Sequence, residues 1–425
     1  MRQQQHRIIV IGAGYTGATA AGRLAKRLHD EDVAITLVNA EPDLVERVRM
    51  HQLAVGQELR PRPLREMFAG SGVELRVAKV SGVDVDRRTV TVAVAVVGAT
   101  STGATGTGVT GTASTAAATG TEELPYDTLV YALGSGWNTQ GVPGTAEHAH
   151  EIASRPGALR LSERLAALDA GGTVVVVGAG LTGVEAATEI AETRKDLDVA
   201  LVARGELGDW LSPKGRGHLR KVCGRLGITV HEHTAVTGVE ADRVTTADGE
   251  SVPAAVTVWA TGFAVHPIAE ATPLETTGTG QIVVDATMRS VSHPDVYAVG
   301  DAAMAMGPGG KPLRMSCATG VPMAWQAADA IAARLTGGKL PTTTPRYYNQ
   351  CISLGRKEGI IQYVTADDRA VKAALTGRPA AFYKEVVCKI ATWGVANPTL
   401  GMPTRRHRVE PPRPTPTETP AEASA

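Results

Sequence analysis

The chain has 425 residues, enough for two or three domains, and its 43 basic residues balance 43 acidic ones. This formal neutrality argues against a nucleic acid or an anionic membrane as an electrostatic partner. Four scattered cysteines without a C-x-x-C pair or metal-ligand spacing predict no metal and free thiols, as in a cytoplasmic protein.

The first predicted strand, residues 7–11, is an apolar run that leads into Gly12-Ala-Gly14-Tyr-Thr-Gly17. It begins so near the amino terminus that we expect no signal peptide. Between a strand and a helix, this spacing is typical of a dinucleotide site. Gly12 makes the tight turn, Gly14 lets the backbone approach a pyrophosphate, and Gly17 lets the helix pack closely. The phosphates would bind at the amino terminus of the helix.

The second predicted strand, residues 33–38, ends at Asn39, where such units usually have an acid that binds the ribose. Asparagine can also hydrogen-bond a ribose, but without the strength of a charged acceptor. Residues 43–65 follow and are rich in arginine. Two interpretations stay open for them: a solvated helix face with alternating charges, or a segment that lines the bound cofactor.

Residues 93–121 consist of Ala, Gly, Ser, Thr and Val almost throughout, with no charged or aromatic side chain. Such a composition cannot bury enough surface to offset the entropy cost of ordering. We therefore predict a flexible loop inserted in a hairpin, without a chemical role. An apolar strand then closes on the small-residue turn Ala132-Leu-Gly134.

A second strand–turn–helix unit follows at residues 173–192, with the turn Gly178-Ala-Gly180-Leu-Thr-Gly183. Its second strand ends at Ala203-Arg204, without the acid that an NAD ribose requires. An arginine here favours a 2′-phosphate, so NADPH is modestly preferred over NADH. Arg204 as an ordinary solvated loop residue is the alternative.

The chain then repeats the earlier order, because a strand closes on Trp259-Ala-Thr-Gly262 as another closed on Ala132-Leu-Gly134. This order indicates an internal duplication at the scale of a domain. A later strand, Asp295-Val-Tyr-Ala-Val, delivers Gly300-Asp301. An acid at the carboxyl end of a central parallel strand is expected to face the ligand crevice.

The last predicted helix, residues 381–394, has Phe382, Val386, Ile390 and Trp393 on one face. We expect this apolar stripe to pack on the protein itself or on a second copy, because amphipathic helices more often face a core. A membrane-surface anchor is the less favoured interpretation. The tail from residue 403 is predicted to be disordered from its composition.

Together, these motifs resemble the FAD/NAD(P)-dependent pyridine nucleotide-disulfide oxidoreductase superfamily. Within it, they are most similar to type II NADH dehydrogenases and apoptosis-inducing-factor-like flavoproteins. The resemblance covers residues 7–335 well and 346–397 loosely. It implies an α/β fold with two Rossmann-like dinucleotide-binding domains and, after them, a small C-terminal α+β domain. The implied FAD domain, interrupted by the NAD(P) domain, spans 1–150 and 285–345; the NAD(P) domain spans 151–284, the C-terminal interface domain 346–402 and the tail 403–425.

The resemblance also implies the cofactors, FAD and either NADPH or NADH, and a role for each matching residue. Asp301 would bond the ribityl chain of FAD, and the backbone at Val80 would meet the adenine. Residues implied around FAD are Gly12, Gly14, Thr16, Gly17, Asn39, Val80, Ala132, Gly134, Gly300 and Asp301. Residues implied around the nicotinamide dinucleotide are Gly178, Gly180, Leu181, Thr182, Gly183 and Arg204, with Ala260, Thr261 and Gly262 linking the two domains. Glu185 matches a glutamate near the nicotinamide and is the candidate catalytic residue.

The resemblance has two departures that bear on activity. Residues 40–60 contain no cysteine, which excludes disulfide reduction through the family's usual site. Trp325 replaces a glutamine that lies near the quinone in the family, which weakens quinone as the electron acceptor. We therefore expect an NAD(P)H oxidoreductase whose flavin passes electrons to a quinone, a redox protein, oxygen or a small metabolite. The alternatives are a tailoring oxidoreductase whose substrate faces Arg47, Arg49 and His51, and a non-catalytic redox-sensing scaffold. A homodimer stays open.

Overall fold

The computed structural model of this protein describes residues 5–95 and 119–410. Up to residue 151, strands dominate, and one long helix follows the first glycine turn. The elements of this part are β1 (His6–Ile11), α1 (Tyr15–Arg27), β2 (Val33–Asn39), α2 (Met50–Leu53), α3 (Leu64–Met67), β3 (Val73–Val77), β4 (Lys79–Asp84), β5 (Thr89–Ala95), β6 (Thr119–Pro125), β7 (Thr128–Tyr131), β8 (Ser135–Trp137), α4 (Thr145–His148) and β9 (Ala149–Glu151).

The middle of the chain repeats this order with a second glycine turn and a second helix. Its elements are α5 (Arg155–Ala166), β10 (Thr173–Val177), α6 (Leu181–Thr193), β11 (Asp198–Val202), α7 (Pro213–Arg225), β12 (Thr229–His231), β13 (Val236–Val239), β14 (Arg243–Thr246), β15 (Ser251–Pro253), β16 (Val256–Trp259), β17 (Phe263–Val265), β18 (Ile282–Val283), β19 (Val296–Ala298), β20 (Ala303–Met304) and α8 (Cys317–Leu335). The C-terminal elements are β21 (Asn349–Ser353), β22 (Gly359–Val364), β23 (Ala370–Thr376) and α9 (Arg378–Ala396).

Two five-stranded parallel sheets form the cores of the two dinucleotide-binding domains. The first has the strand order β19-β7-β1-β2-β3, and the second has the order β12-β11-β10-β16-β9. Their central strands, β1 and β10, are apolar on both faces and buried, as expected for a parallel sheet that helices cover on both sides. Because β19 returns to the first sheet after the second is complete, the second domain is inserted in the first. The predicted fold class is confirmed.

An antiparallel three-stranded sheet accompanies each parallel sheet, β4-β5-β6 in the first domain and β13-β14-β15 in the second. Strand β5 extends to Ala95 and pairs with β6 from Thr119, so both ends of the predicted insert belong to a hairpin. Residues 96–118, the remainder of the predicted flexible loop, lie outside the described residues. The two domains are linked where β8 pairs with β17 in antiparallel orientation.

Helix α9 packs on the three-stranded sheet β21-β22-β23, but with the face opposite to the predicted one. Phe382, Ile390 and Trp393 are 72%, 55% and 48% exposed, whereas Lys384 and Thr392 are buried. Of the two expected alternatives, packing on the protein itself is therefore wrong for these three residues, and packing on a second copy stays a prediction. The inward polar groups have partners, since Lys384 pairs with Glu185 and Thr392 donates to Glu46.

The beginning of the tail differs from the predicted disorder. His407 N donates to Arg27 O at 2.8 Å, and Val409 N donates to Asp32 Oδ2 at 3.0 Å. These bonds hold residues 403–410 along the end of α1, and residues from 411 lie outside the described part. Within residues 5–95 and 119–410, none of the helices combines the length and the apolarity needed to cross a membrane.

Candidate functional site

The two glycine turns have nearly the same geometry, and both require glycine. Gly12 has φ +92° and Gly178 has φ +107°. Residues with a Cβ rarely adopt this backbone region. A Cβ on Gly12 would lie 2.3 Å from Ala132 O, and one on Gly178 would lie 2.7 Å from Ala260 O. Ala132 and Ala260, both predicted site residues, therefore form equivalent walls behind the two turns.

The third glycine of each turn brings helix and strand into contact. A Cβ on Gly17 would lie 1.8 Å from Gly12 O, and one on Gly183 would lie 1.7 Å from Gly178 O. Any larger residue would force the helix away from the sheet, which is the packing role predicted for this position.

The middle glycine of each turn leaves open space in front of a helix terminus. Within the described structure, a Cβ added at Gly14 or Gly180 would meet no atom within 4 Å. In that part of the chain, neither α1 nor α6 has a side chain that caps its amino terminus, and neither has an acid in its first turn. The free N–H groups and the positive helix end therefore fit a pyrophosphate. Thr16 occupies the second position of α1, and Leu181 and Thr182 occupy the first two of α6.

Asp301 lies at the carboxyl end of β19, in a short 3-10 helix (Gly300–Ala302). Ser135 Oγ donates to Asp301 Oδ2 at 2.6 Å, and Arg47 Nη1 lies 3.7 Å from the same oxygen. Gly300 has φ +72°, and a Cβ there would lie 2.9 Å from Thr16 Oγ1. The fold thus brings Asp301 beside the first glycine turn, as the sequence predicts for an acid at this strand end.

Gly134 and Val80 also lie at this edge of the first domain. Gly134 follows β7 with φ +69°, and its Cα faces Arg47, whose Nη1 would be 3.6 Å from an added Cβ. Val80 is buried in β4, which starts beside the end of β2 because Ala78 N donates to Asn39 O. Both placements agree with a long cofactor that extends along the carboxyl edge of the sheet.

Asn39 is bonded within the protein at the end of β2. Its Oδ1 accepts from Ala13 N at 2.8 Å, inside the first glycine turn, and its Nδ2 donates to Glu41 O at 2.8 Å. The second amide N–H and the second lone pair of Oδ1 are left for a ribose. The asparagine therefore fixes the turn, a role that sequence reasoning did not assign to it.

The second domain presents its predicted residues around β10, β11 and β16. Arg204 is exposed just beyond the carboxyl end of β11. The next residue, Gly205, accepts a hydrogen bond at its carbonyl oxygen from His233 N in a neighbouring loop. Thr261 Oγ1 is buried and has no hydrogen-bond partner in the described residues. Gly262 has φ +117° and leads into the strand that links the domains. A buried hydroxyl without a partner beside a glycine turn fits a polar ligand.

Glu185 points from α6 to the C-terminal domain and is nearly buried. Its Oε1 accepts from Ser353 N at 2.9 Å and forms an ion pair with Lys384 Nζ. Lys384 also donates to Cys351 O at 3.3 Å, and burial lowers the pKa of this lysine to about 8. An ammonium with a lowered pKa can give up a proton near neutral pH. Sequence reasoning missed Lys384, because its partner is 199 residues away.

Part of the arginine-rich segment is buried rather than solvated, although Arg60 and Arg65 are exposed. Arg49 donates to Glu385 Oε2 at 2.9 Å and to Glu46 Oε2 at 3.1 Å, and Arg62 Nε donates to Glu46 Oε1 at 3.0 Å. Glu46, Arg49 and His51 are all below 9% exposed. The interpretation of a solvated helix face is wrong for these residues, because carboxylates from α9 and from the segment itself neutralise the arginines.

The four cysteines are buried or partly buried. All four lie within the described residues and are free thiols. Burial raises the pKa of Cys317 to about 11, so its thiol stays protonated and unreactive at neutral pH. Among residues 5–95 and 119–410, no group of three or more His, Cys, Asp or Glu side chains is placed to hold a metal ion.

Comparisons with known proteins agree with this architecture. The family model for pyridine nucleotide-disulphide oxidoreductases matches residues 6–332. An NADH dehydrogenase-like protein of Mycobacterium tuberculosis is 28% identical over 406 residues, which cover 90% of this chain and 92% of that protein. The demethylphylloquinone reductase NdbB of Synechocystis is 23% identical over 376 residues, covering 85% and 87% of the two chains.

Among solved structures, the sulfide:quinone oxidoreductase of Aquifex aeolicus superposes with a TM-score of 0.74 at 19% identity, covering 92% of both chains. NDH2 of Plasmodium falciparum has a TM-score of 0.73 at 13% identity, covering 95% of this chain and 99% of its own. At these identities the structural likeness shows a shared fold.

Proposed function

Because the chain belongs to the pyridine nucleotide-disulphide oxidoreductase family, we propose that it is an FAD-dependent enzyme that oxidises NAD(P)H and reduces a quinone-type acceptor. The observation that carries the proposal is the pair of matched glycine turns, Gly12 to Gly17 and Gly178 to Gly183, joined by the β8–β17 link. Two cradles of this kind accommodate two dinucleotides. The bound flavin would supply the chemistry, accepting hydride and passing on two electrons.

Residues of the first domain hold and orient the flavin in this proposal. The amino terminus of α1 binds the pyrophosphate, and Asp301 accepts hydrogen bonds from ribityl hydroxyls. Ser135 and Arg47 fix the Asp301 carboxylate in one orientation before the flavin binds. Asn39 keeps the turn in place and offers its remaining amide groups to the ribose.

The acceptor is proposed from the buried pair Glu185–Lys384. Reduction of a quinone requires protons at its oxygens, and a buried ammonium beside a carboxylate can supply one. A cavity of about 10 Å³ beside this pair, with room for about one water, is lined by Gln52, Ser353, Arg356 and Lys384, among others. The name of the cyanobacterial relative, a demethylphylloquinone reductase, supports the same class of acceptor.

Anaerobic mixing of the purified protein with NAD(P)H tests the function. We expect about one FAD per chain, as one cradle of the first type implies, and rapid bleaching of its absorbance. Steady-state turnover is then compared for a soluble benzoquinone, a ferredoxin-type protein and oxygen. A flavin that NAD(P)H does not reduce within a turnover time would contradict the proposal and favour a non-catalytic scaffold. Turnover only with oxygen, or only with the ferredoxin-type protein, would contradict a quinone as the acceptor.

Arg204 supports a weak preference for NADPH. Arginine binds a 2′-phosphate through charge-assisted hydrogen bonds, and this side chain is exposed at the strand end where that group would lie. Arg204→Ala should lower kcat/KM for NADPH by about 5- to 30-fold, the loss of roughly 1–2 kcal/mol, and leave NADH unchanged. Arg155→Ala, at an exposed arginine on α5, is the control. An unchanged ratio of the two constants would remove Arg204 from the site.

A further inference from the structure

His51 lies between two carboxylates of α6. Its Nδ1 is 3.8 Å from Glu185 Oε2, and its Nε2 is 4.0 Å from Glu189 Oε2. Glu185 and Glu189 are four residues apart, so they lie on the same face of the helix. The three side chains therefore form a row in which each ring nitrogen faces one acid.

Glu189 is the deepest member of this row and is fully buried. Its Oε1 accepts from Gln57 Nε2 at 2.5 Å, whereas its Oε2 has no hydrogen-bond partner in the part of the chain described. Burial raises the pKa of Glu189 to about 7. A proton on Oε2 would be directed at His51 and would satisfy the unpaired oxygen.

His51 can pass a proton because it stays neutral in this environment. Burial, together with the charges of Lys384, Arg356 and Arg49, lowers its pKa well below 6.5. A neutral imidazole has one donor nitrogen and one acceptor nitrogen. With the proton on Nδ1, the ring donates toward Glu185 and accepts toward Glu189.

The row ends at Glu189, which has no exposed surface of its own and is approached by Arg356 and Gln57. Arg356 Nε lies 3.9 Å from Glu189 Oε1, and the Arg356 side chain is 36% exposed. Gln57, which bonds the same oxygen, is half-buried in the loop after α2. At the other end, Lys384 lines the small cavity beside which the acceptor is proposed to bind.

We propose that His51 and Glu189 form a proton relay that connects solvent, beside Gln57, with the Glu185–Lys384 pair. This inference rests on the proposed function and deepens it. Oxidation of NAD(P)H by a quinone is balanced by one proton from solvent: NAD(P)H + quinone + H⁺ gives NAD(P)⁺ + hydroquinone. Hydride carries two electrons and one proton, so a second proton must cross the buried site.

The transfers of that proton balance along the row. Lys384 gives a proton to an acceptor oxygen and takes one back from Glu185, which receives the Nδ1 proton of His51. Glu189 gives its proton to Nε2 and takes another from a water that reaches it when Gln57 moves aside. The imidazole then changes tautomer before the next turnover. Distances of 3.8 and 4.0 Å exceed a hydrogen bond by roughly 0.5–1 Å, so the ring must shift by that amount.

The charged groups that face the relay come from every element packed around it. Arg49 precedes His51, Arg356 follows β21, Lys384 and Glu385 lie on α9, and Glu192 lies one turn beyond Glu189 on α6. Arg356 favours the charged form of Glu189, and Glu192 opposes it. The burial of Glu189 outweighs both, so the protonated carboxyl persists near neutral pH.

Glu189→Gln and His51→Gln test the relay, with Glu163→Gln on the exposed face of α5 as the control. Turnover is measured with a soluble benzoquinone, which takes up protons, and with ferricyanide, which takes up electrons only. Both relay variants should lose about a hundredfold in benzoquinone turnover near pH 7. Ferricyanide turnover and flavin content should equal those of the parent and the control.

A second readout is independent of activity. An infrared titration of the purified protein, read as the difference from Glu189→Gln, should show a protonated carboxyl that ionises near pH 7 and is absent in the variant. Equal benzoquinone turnover in Glu189→Gln and parent, or equal losses with both acceptors, would overturn the relay alone. A missing carboxyl signal in the parent would also overturn it. A parent that reduces ferricyanide but no quinone would overturn the proposed acceptor and the relay with it.

Discussion

Asp301 is the single residue on which flavin binding is expected to depend most. Ser135 and Arg47 already hold its carboxylate in one orientation. Replacing Asp301 would therefore remove an acceptor that is in place for the ribityl hydroxyls. Asp301→Ala should weaken FAD binding by about 1–3 kcal/mol, which is roughly 5- to 150-fold in the dissociation constant. FAD titration of the apoprotein measures this change.

The matched control is Asp295→Ala, because Asp295 lies in the same segment but pairs with Arg88 at the surface. This variant should bind FAD as the parent does. An Asp301→Ala protein that binds FAD as tightly as the control would show that the ribityl chain does not use Asp301.

The opposed pKa shifts of Glu189 and His51 predict a pH dependence of stability. Burial raises the pKa of Glu189 from 4.5 to about 7. The folded state therefore keeps a proton that the unfolded chain loses, and stability falls as pH rises through this window. Burial lowers the pKa of His51 well below 6.5. The unfolded chain therefore binds a proton that the folded state does not, and stability rises with pH up to 6.5. In the parent the two slopes offset each other.

Single substitutions should separate these slopes. In Glu189→Gln the free energy of unfolding should rise from about pH 5 to pH 6.5, and in His51→Gln it should fall from about pH 5 to pH 7, each by up to about 1.4 kcal/mol per pH unit. Urea unfolding at a series of pH values measures both. Parallel pH profiles in the two variants and the parent would contradict the assigned protonation states.

Among the elements, the two strand–glycine–helix units were predictable from the sequence, whereas the orientation of α9 was not. The glycine spacing encodes contacts within about twenty residues, such as Gly17 against Gly12 O, and these contacts do not depend on the rest of the fold. The inward face of α9 is set by Lys384 with Glu185 and by Thr392 with Glu46, partners that are 199 and 346 residues distant. Hydrophobic periodicity contains no information about such pairs.

The same reason explains the buried segment around Arg49. Its charges read as a solvated face because Glu385, which neutralises Arg49, lies 336 residues further along the chain. The candidate acceptor site is built from these long-range ion pairs. The cofactor cradles could therefore be predicted from local motifs, and the acceptor site could not.

The β5–β6 hairpin gives a prediction for the insert between its strands. Residues 93–121 contain no charged side chain, and the strands pair up to Ala95 and Thr119. Replacing residues 96–118 by a short turn should leave FAD content and turnover unchanged, because loop-closure entropy varies slowly with loop length. Loss of turnover in a folded deletion variant would show that the insert contacts a substrate.

At the scale of the whole molecule, the C-terminal domain presents an exposed apolar face. On α9 the exposed residues are Phe382, Ile390 and Trp393, and Tyr348 and Met402 are exposed elsewhere in the domain; each is about half exposed or more. The basic residues Lys372, Arg378 and Lys389 are exposed on the same domain. Exposed apolar side chains on a domain that also exposes lysine and arginine are a feature of proteins that lie on an anionic membrane. Because α9 also carries Lys384, such docking would bring a membrane quinone close to the proposed acceptor site.

Flotation with phosphatidylglycerol-containing liposomes tests this arrangement. The parent should float with the vesicles, and the double variant Ile390→Ala, Trp393→Ala should not, since each large side chain that enters the acyl boundary contributes about 1.5–3 kcal/mol. Leu159→Ala, at an exposed apolar residue on α5, should float as the parent does. All three proteins should keep the same FAD content. The contrary outcome is a parent that does not float and that elutes from a size-exclusion column as a dimer, while the double variant elutes as a monomer. That result would assign this face to a second copy of the chain instead. The quinone would then have to reach Lys384 from solution.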